Sequence, residues 1–332
     1  MRVLAGDVGG TKTLLQIAEL ENGAWRVCNE LSFLSGEFKQ FEDLLAKFLG
    51  LTEVAALMPV AGACFGVAGP VDGRQAKITN LPWRINADEL QSTFSIPSVS
   101  LINDFEAVGY GIESLGEGDL ETLQEGEPVE NGVRALIGAG TGLGQAIMVR
   151  GGNHYTVLPT EGGHVDFAPT SETQSELLAE LKPHMGRVTY ENIVSGSGLV
   201  KIYEFLCSKS PELASGALQN VMLTQDPAAS IAQFALEKRD PIAEQAVDMF
   251  ISIYGAQAGN MALSTLPRGG VYIAGGIAPK LMARICQGGF MAAFQNKSPM
   301  ADLMPKFPVR VVMEPRVGLL GAANVAARLA GC

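Results

Sequence analysis

Short apolar segments, separated by glycine, asparagine and charged residues, open the chain. Residues 3–5 and 14–18 are mostly apolar and flank a glycine-containing stretch, and a further mixed segment covers residues 25–31. Asn22-Gly23, a strong hairpin signal, lies between the second and third segments. The pattern therefore predicts three consecutive strands, with a glycine turn between the first two.

Beyond this point strand-like and helix-like segments alternate. Apolar residues recur at helical spacing over residues 38–49, and residues 63–68 and 99–103 are short apolar segments typical of buried strands. The second of these strands continues into a helical segment that ends near residue 115. Alternation of this kind is the pattern of an α/β domain.

The second half of the chain repeats the opening pattern and then becomes mainly helical. Residues 134–149 again give an apolar strand, a glycine turn containing threonine, and an apolar strand. The helices and strands predicted after it lie at residues 155–158, 172–181, 199–207, 231–238, 242–266, 270–274, from 279 onward, 309–313 and 318–329. Gly255 and Gly259 lie within the longest helix, where glycine lowers stability, so we expect close helix packing at both.

The length of 332 residues exceeds the usual limit for one core and favours two domains. Residues 116–132 are acidic, contain glycine and have no clear period, which predicts a linker. We therefore expect a small α/β domain over residues 1–115 and a large α/β domain over residues 116–317. The C-terminal helix, residues 318–332, is expected to return to the small domain.

Charge and cysteine usage exclude several classes of function. A net charge of −11 argues against nucleic acid or an anionic membrane as a partner, although it leaves room for a nucleotide. No apolar stretch reaches membrane-spanning length, and the N-terminus lacks the apolar region of a signal peptide. The 5 cysteines are scattered, and the 3 histidines have no metal-ligand spacing. We expect a cytoplasmic protein without structural zinc.

The first glycine turn has the composition of a phosphate site. Thr11 separates Gly10 from Lys12, so the turn is not a Walker A loop, and the dinucleotide spacing is also absent. Bare backbone N–H groups can nevertheless approach phosphates closely, and Asp7 can reach a hydrated Mg²⁺. A tight structural hairpin is the alternative. The candidate nucleotide ligands here are Gly6, Asp7, Val8, Gly9, Gly10 and Thr11.

Two further glycine turns extend this interpretation. Residues 136–142 resemble residues 4–11, and such an internal repeat favours a phosphate role for both turns. The ligands in the second turn would be Gly140, Thr141 and Gly142. Gly275 and Gly276 follow a buried strand, where a flat ring could lie against the backbone; a tight strand-to-helix turn is the alternative.

Asn103 and Asp104 follow a predicted strand, where ligand groups of α/β proteins collect. Asp104 could accept a proton from a substrate hydroxyl while Asn103 fixes that hydroxyl. Alternatively, Asp104 is only the N-cap of the next helix.

A polar stretch at residues 161–166 places two carboxylates and a histidine around a glycine pair. Glu161 and His164 could hold neighbouring hydroxyls of a sugar, because a carboxylate accepts from O–H groups and an imidazole can donate. A polar surface loop is the alternative. Glu191 is a weaker candidate from its residue type alone.

Taken together, these motifs resemble the bacterial glucokinase family, within the actin-like ATPase superfamily of sugar kinases. The matching stretches occur in family order over nearly the whole chain. They are residues 6–11 (GDVGGT), 102–107 (INDFEA), 138–144 (GAGTGLG), 161–169 (EGGHVDFAP), 191–198 (ENIVSGSG) and 273–277 (IAGGI).

The resemblance implies a two-domain actin-like ATPase (ribonuclease H-like) fold, with sugar and ATP bound in the interdomain cleft. It implies ATP-dependent phosphorylation of the glucose 6-hydroxyl with Mg²⁺, as the first step of glycolysis. Asp104 would be the general base, and the sugar ligands would be Asn103, Asp104, Glu161, His164 and Glu191. The first two glycine turns would bind phosphates, and Gly275-Gly276 would face adenosine. A homodimer and a cytoplasmic location are implied as well.

The chain departs from the related repressor/ORF/kinase (ROK) family, because no cysteine-rich zinc motif follows His164. Two alternatives to a glucose kinase stay open. One is a kinase for fructose, mannose or an amino sugar, since hexose discrimination depends on pocket shape. The other is a non-catalytic sugar sensor, against which the presence of both Asp7 and Asp104 argues.

Overall fold

The computed structural model describes residues 1–331, which form two compact units. The first unit comprises Met1–Asp119, Gly151–Pro159 and the chain from Glu314 onward; the second comprises Leu120–Arg150 and Thr160–Met313. The domain bounds expected from the sequence stay a prediction.

Strands and helices alternate through the first 111 residues, in the order β1 (Arg2–Val8), β2 (Lys12–Glu21), β3 (Ala24–Leu34), α1 (Phe41–Leu49), α2 (Thr52–Ala55), β4 (Ala63–Val67), β5 (Val71–Asp72), β6 (Gln75–Lys77), β7 (Arg84–Asn86), α3 (Ala87–Phe94), β8 (Val99–Asn103) and α4 (Asp104–Gly111). Four strands and a helix follow, β9 (Leu120–Gln124), β10 (Arg134–Ala139), β11 (Leu143–Gly151), β12 (His154–Thr160) and α5 (Glu172–Met185). The chain continues through α6 (Gly196–Lys209), α7 (Gly216–Met222), α8 (Pro227–Leu236), α9 (Pro241–Thr265), β13 (Gly270–Ala274), α10 (Ile277–Lys280), α11 (Met282–Ile285), α12 (Gly289–Gln295), β14 (Val309–Val312) and α13 (Val317–Leu329).

The two main sheets have the same strand order. In the first the order is β3-β2-β1-β4-β8, and in the second it is β12-β11-β10-β13-β14, with β9 added at the edge. Each begins with an antiparallel hairpin, β1–β2 or β10–β11, and continues with parallel strands. The repeat read from the two glycine turns is therefore a repeat of the whole sheet pattern.

Helices cover both faces of the first sheet. The β1 sequence indicates this, because it is apolar at successive positions. Side chains alternate between the faces of a strand. Leu4 and Val8 accordingly pack into the cluster that contains α1 residues such as Phe41, whereas Val3 and Ala5 pack against α13. All of these side chains are fully buried.

Contact between α4 and α13 depends on glycine. A Cβ at Gly321 would lie 1.7 Å from the carbonyl oxygen of Ala107, and one at Gly111 would lie 2.0 Å from that of Val317. The two helices thus approach backbone to backbone at these points. Only glycine fits there without a steric clash, because every other residue carries a Cβ.

The long helix α9 passes through the core of the second unit and packs against α12. A Cβ at Gly255 would lie 2.2 Å from the carbonyl oxygen of Phe290, and one at Gly259 would lie 2.6 Å from that of Phe294. The close packing expected at these two glycines is confirmed.

The structure corrects three details of the sequence-based description. Strand β9 lies inside the predicted linker, where it pairs antiparallel with β14; as a half-exposed edge strand it carries no clear alternation. A small sheet of β5, β6 and β7 occupies residues 71–86, where the sequence pattern predicts no strand. The helix after Gly276 begins at Ile277, two residues before Pro279.

Across residues 1–331, no helix is both long enough and apolar enough to cross a membrane.

Substitution of Gly321 by alanine should destabilise the first unit, because the added Cβ requires α4 and α13 to separate. We expect a loss of about 1–3 kcal/mol in the free energy of unfolding, measured by urea titration. The matched control is Gly318→Ala in the same helix, whose Cβ would make only an ordinary contact at 3.8 Å with Val108. Equal unfolding midpoints for the two variants would contradict this account of the helix contact.

Candidate functional site

The first glycine turn joins β1 to β2, so it lies between two strands as predicted. The turn is closed by a hydrogen bond from Gly9 N to Lys12 O of 3.1 Å. Asp7 is near the end of β1, opposite Leu14 of β2 and beside Gly66 of β4. The strand register therefore fixes the position of the Asp7 backbone.

Ser35, which the sequence did not single out, braces this turn. Its fully buried hydroxyl donates to Gly9 O at 2.7 Å and accepts from Thr13 Oγ1 at 2.9 Å. Its backbone N–H donates to Thr11 O at 3.0 Å. A lone serine more than 20 residues after the turn gives no local signal of this contact.

Packing explains some glycines of the first turn. A Cβ at Gly6 would lie 2.5 Å from the ring of Phe65, and one at Gly9 would lie 2.8 Å from Lys12 O. The hairpin alternative therefore accounts for these two glycines, whatever the turn binds.

The second glycine turn joins β10 to β11 and is tied to the segments that follow it. Gly140 N donates to Gly142 O, and Gly140 O accepts from Gly196 N, both at 2.9 Å. A Cβ at Gly142 would lie 2.5 Å from Glu191 Oε2. A Cβ at Gly140 would meet nothing within 4 Å. Packing thus favours glycine at 142, where a Cβ would displace the Glu191 carboxylate, but gives no reason for it at 140.

In the glycine pair after β13, packing likewise explains one glycine and not the other. Gly275 has a φ of +82°, and a Cβ there would lie 2.4 Å from Ala139 O. Gly276 has an ordinary φ of −77°, and a Cβ there would meet nothing within 4 Å. Gly276, like Gly140, leaves bare backbone next to open space, where a ligand could lie flat against it.

Asn103, and not Asp104, caps helix α4. The Asn103 side-chain oxygen accepts from Phe105 N at 2.9 Å and from Glu106 N at 3.3 Å, and Glu106 Oε2 accepts from Asn103 N at 3.4 Å. Asp104 is the first helical residue, and its Oδ1 accepts from Phe105 N at 2.8 Å. The interpretation of Asp104 as the N-cap is therefore wrong, because Asn103 already fills that role.

Asp7 and Asp104, the two carboxyl groups proposed from the sequence near the first glycine turn, both have raised pKa values. Burial, reinforced by the nearby charge of Asp104 and opposed by Lys12, raises the pKa of Asp7 to about 6. Burial also raises the pKa of Asp104, although hydrogen bonds from Phe105 and Asn103 partly oppose this. Two neighbouring half-buried carboxyl groups disfavour each other's ionisation, and a cation would relieve that cost.

The donor set near Asp7 fits Mg²⁺ better than a fully protein-bound metal. Within residues 1–331, no group of three or more histidine, cysteine, aspartate or glutamate side chains is arranged to hold an ion. Mg²⁺ is usually held by one or two carboxylates together with water and substrate phosphates. The Asp7 carboxylate, beside a turn of bare N–H groups, matches this mode of Mg²⁺ binding.

In the second unit, His164 lies between two carboxylates. Its Nε2 is 3.6 Å from Glu161 Oε2, and its Nδ1 is 3.8 Å from Glu191 Oε1. The side chain of Glu161 is 91% exposed and that of Glu191 is 32% exposed. The three side chains therefore form an accessible cluster of two acceptors around one imidazole.

Glu191 links this cluster to the second glycine turn. Its Oε2 accepts from Leu143 N at 2.9 Å, and its backbone N–H donates to Gly163 O at 2.9 Å. A Cβ at Gly163 would lie 2.1 Å from Leu143 O, so the glycine pair lets the 161–164 stretch lie directly against β11. Glu191 ranked low from sequence because this tie spans 48 residues of chain.

Asp166 helps to hold the conformation of the 161–166 stretch. It pairs with Arg187, which also donates to His164 O at 2.7 Å. The structure thus brings Glu161, His164 and Glu191 together around the second turn, and Asp7 and Asp104 together near the first.

The chain is similar to known proteins over nearly its whole length. The family model described as Glucokinase matches residues 4–329. The glucokinase of Nostoc punctiforme is 44% identical, over 98% of this chain and 99% of its own length. The crystal structure of glucokinase from an Antarctic psychrotroph has a TM-score of 0.85 at 27% identity, covering 98% of this chain and 99% of that chain. A ROK family glucokinase from Streptomyces griseus, solved with glucose and AMPPNP, has a TM-score of 0.69 at 20% identity, covering 99% and 100%.

These relatives confirm the expected α/β fold of the two-domain actin-like ATPase class. The match of the family model and the identity to curated relatives extend over nearly the full length of the chain. The chain therefore belongs to the glucokinase family, and it is an enzyme, a kinase of glucose.

Proposed function

We propose that the chain transfers the γ-phosphoryl group of ATP to the 6-hydroxyl of glucose, with Asp104 as the general base. The observation that carries this assignment is the capping of α4 by Asn103. Because the cap is already supplied, the adjacent Asp104 carboxyl is not needed as the N-cap of the helix. Its raised pKa also moves it towards the neutral range in which a general base works best.

Sugar hydroxyls would be held by groups with complementary hydrogen-bonding capacity. The carboxylates of Glu161 and Glu191 accept from O–H groups, and His164 between them can donate from one nitrogen. Asn103 donates one amide hydrogen to Gly69 O at 3.3 Å, which leaves its second amide hydrogen for a sugar oxygen. These assignments define the sugar ligands as Asn103, Asp104, Glu161, His164 and Glu191.

ATP phosphates would bind to backbone N–H groups of the first two glycine turns, at residues 6–11 and 140–142. Adenosine would lie against Gly275-Gly276. The bare positions Gly140 and Gly276 support this, since glycine there is required by neither φ nor packing. A relative of the same fold was solved with an ATP analogue, which also favours ATP as the donor.

Asp7 would hold Mg²⁺ through water. When bound, the ion would neutralise phosphate charge, which is the main requirement of phosphoryl transfer. Asp7 itself would remain ionised beside the cation, since the cation offsets the burial that raises its pKa.

In the reaction, Asp104 accepts the proton of the 6-hydroxyl as that oxygen attacks the γ-phosphorus. General-base assistance of this kind contributes roughly 10²–10⁴-fold to a rate. Fixed N–H groups stabilise the charge that develops on the phosphoryl oxygens. We also propose a cytoplasmic location and a homodimer, which follow from the family resemblance alone.

Replacement of Asp104 by alanine should abolish nearly all turnover while glucose binding persists, because the other sugar ligands remain. The measurement is the initial rate in a coupled ADP assay, with glucose binding followed by calorimetry. We expect kcat to fall by about 10²-fold or more. Wild-type rates with fructose, mannose and glucosamine in the same assay define the sugar range.

Two results would overturn these assignments. Retained turnover in the alanine variant would remove Asp104 from the role of base. Equal rates of ADP release with and without every hexose would argue against sugar phosphorylation altogether.

Replacement of Asp7 by asparagine should stabilise the ligand-free protein at pH 8. The folded pKa of Asp7, about 6, exceeds the ordinary value of 3.8, so the folded state binds the proton more tightly. Stability therefore falls as pH rises from about 4 to 6, and the buried charge costs about 1–3 kcal/mol above that range. Asparagine carries no charge at any pH and avoids this cost.

Urea unfolding in EDTA at pH 8 and at pH 3.5 tests the Asp7 variant. The gain should appear at pH 8 and nearly disappear at pH 3.5, where Asp7 is mostly protonated in both states. The exposed Asp72→Asn variant serves as the control and should show no such difference. A gain of equal size at both pH values would disprove the electrostatic explanation.

Replacement of Gly140 by alanine should weaken ATP binding without affecting stability. The new Cβ meets no protein atom within 4 Å, so it can only occupy space proposed for the ligand. We expect the KM for ATP to rise by about tenfold, while the KM for glucose and the unfolding midpoint stay unchanged. Gly216→Ala, at another open glycine of the second unit, is the matched control. An unchanged KM for ATP would remove the second turn from the nucleotide site.

A further inference from the structure

Tyr254 lies within α9, and its side chain is almost completely buried at 1% exposure. Its hydroxyl accepts from Ala139 N at 3.1 Å. The same oxygen lies 3.3 Å from Ile137 O and 3.4 Å from Ala274 O. One phenol therefore meets the ends of both β10 and β13.

These contacts lie where the sheet ladder stops. Strands β10 and β13 pair in parallel as far as Gly138 and Ala274. The second glycine turn begins immediately after β10, and Gly275 immediately follows β13. The Tyr254 hydroxyl thus supplies hydrogen bonds to the backbone at the point where both turns leave the sheet.

The two turns also touch each other at this point. A Cβ at Gly275 would lie 2.4 Å from Ala139 O, so the two backbones are in direct contact. Any shift of Ala139 therefore changes the space available to Gly275. The hydroxyl restrains both partners, because it accepts from Ala139 and can donate to Ala274.

The hydrogen-bonding capacity of the phenol is fully used. A hydroxyl has one proton, which can go to either Ile137 O or Ala274 O, while its lone pair takes the Ala139 N–H. Burial raises the pKa of Tyr254 further above its usual range, so the group stays protonated and able to donate. Loss of the oxygen would leave buried backbone groups without this partner, which is costly.

Aromatic neighbours hold the ring independently of the hydroxyl. The rings of Phe250 and Phe290 pack edge-on against Tyr254, at centroid distances of 6.1 and 5.5 Å. Phenylalanine at position 254 would keep both contacts. The Tyr254→Phe variant therefore removes only the hydrogen bonds.

We propose that the Tyr254 hydroxyl is a positioning group for nucleotide binding, which sets the spacing between the turn at residues 140–142 and the turn at Gly275-Gly276. It acts through the backbone and does not touch the substrates. The inference rests on the proposed nucleotide role of these two turns. It predicts that loss of the hydroxyl impairs ATP binding selectively and leaves sugar binding intact.

The test compares Tyr254→Phe with wild type in steady-state kinetics and in calorimetry with Mg²⁺-AMPPNP. We expect the KM for ATP and the dissociation constant of the analogue to rise about fivefold or more, because a buried donor loses its partner. The KM for glucose should change by less than about twofold. An unchanged KM for ATP, or equal increases in both KM values, would overturn the proposal.

The matched control is Tyr203→Phe. Tyr203 is also buried in the second unit, and its hydroxyl donates to Asp240 at 3.2 Å, so this variant too loses a buried hydrogen bond. It should lower the unfolding midpoint without raising the KM for ATP. If Tyr203→Phe also raised the KM for ATP without raising the KM for glucose, loss of any buried hydrogen bond in this unit would explain the effect. The proposal would then fail.

Hydrogen exchange in the wild-type protein gives a readout that does not depend on folding of the variant. In the ligand-free enzyme the Ala139 amide should exchange as slowly as buried amides of β10, because the phenol already holds it. Exchange as fast as in exposed turns would overturn the proposal.

Gly140→Ala separates the inference from the proposed function. If that variant raises the KM for ATP and Tyr254→Phe does not, only the positioning role fails. If neither variant changes it, the nucleotide role of the second turn fails as well.

Discussion

Close approach of one backbone to another, at positions where a Cβ would collide, governs this structure. The contact between α4 and α13 requires Gly321, and the contact between α9 and α12 requires Gly255. The same constraint operates at the site, where Gly163 lets the 161–164 stretch touch β11 and Gly275 touches Ala139. Many of the 39 glycines are therefore needed for packing, and their number alone does not indicate ligand contacts.

Within the glycine turns of the proposed site, the glycines that packing does not explain are the more informative ones for function. Gly140 and Gly276 have neither a positive φ nor a neighbour that would exclude a Cβ. Glycine loses more conformational entropy on folding than alanine, so a bare position without a structural reason carries a cost. Space for a ligand offers a physical reason for that cost.

Asp7 and Asp104 likewise lower the stability of the ligand-free protein at positions proposed to serve the reaction. Burial and mutual repulsion make ionisation of Asp7 unfavourable in the ligand-free protein. A cation and a nucleotide would reverse that balance, because they supply the missing positive charge and hydrogen-bond donors. This unfavourable electrostatic interaction lies where α4 begins, next to the cap provided by Asn103.

Local patterns determined much of this fold. Alternating strands and helices, the two glycine hairpins and the long helix that became α9 all follow from hydrophobic periodicity and turn residues, which act over a few positions. Edge strand β9 escaped prediction because its pairing with β14 joins residues that lie far apart in the chain, such as Leu120 and Val312. The motifs likewise identified Asp104 and His164 as candidates from residue type and place in the chain.

Only the tertiary structure decided which neighbour each of these groups meets. Asn103 caps α4, so Asp104 does not. Glu191 contacts the second turn by accepting a hydrogen bond from Leu143 N. Tyr254 met both strand ends from a helix more than 100 residues beyond β10. Sequence determines the local conformation of a segment, whereas such contacts depend on how distant segments pack, and no short pattern encodes them.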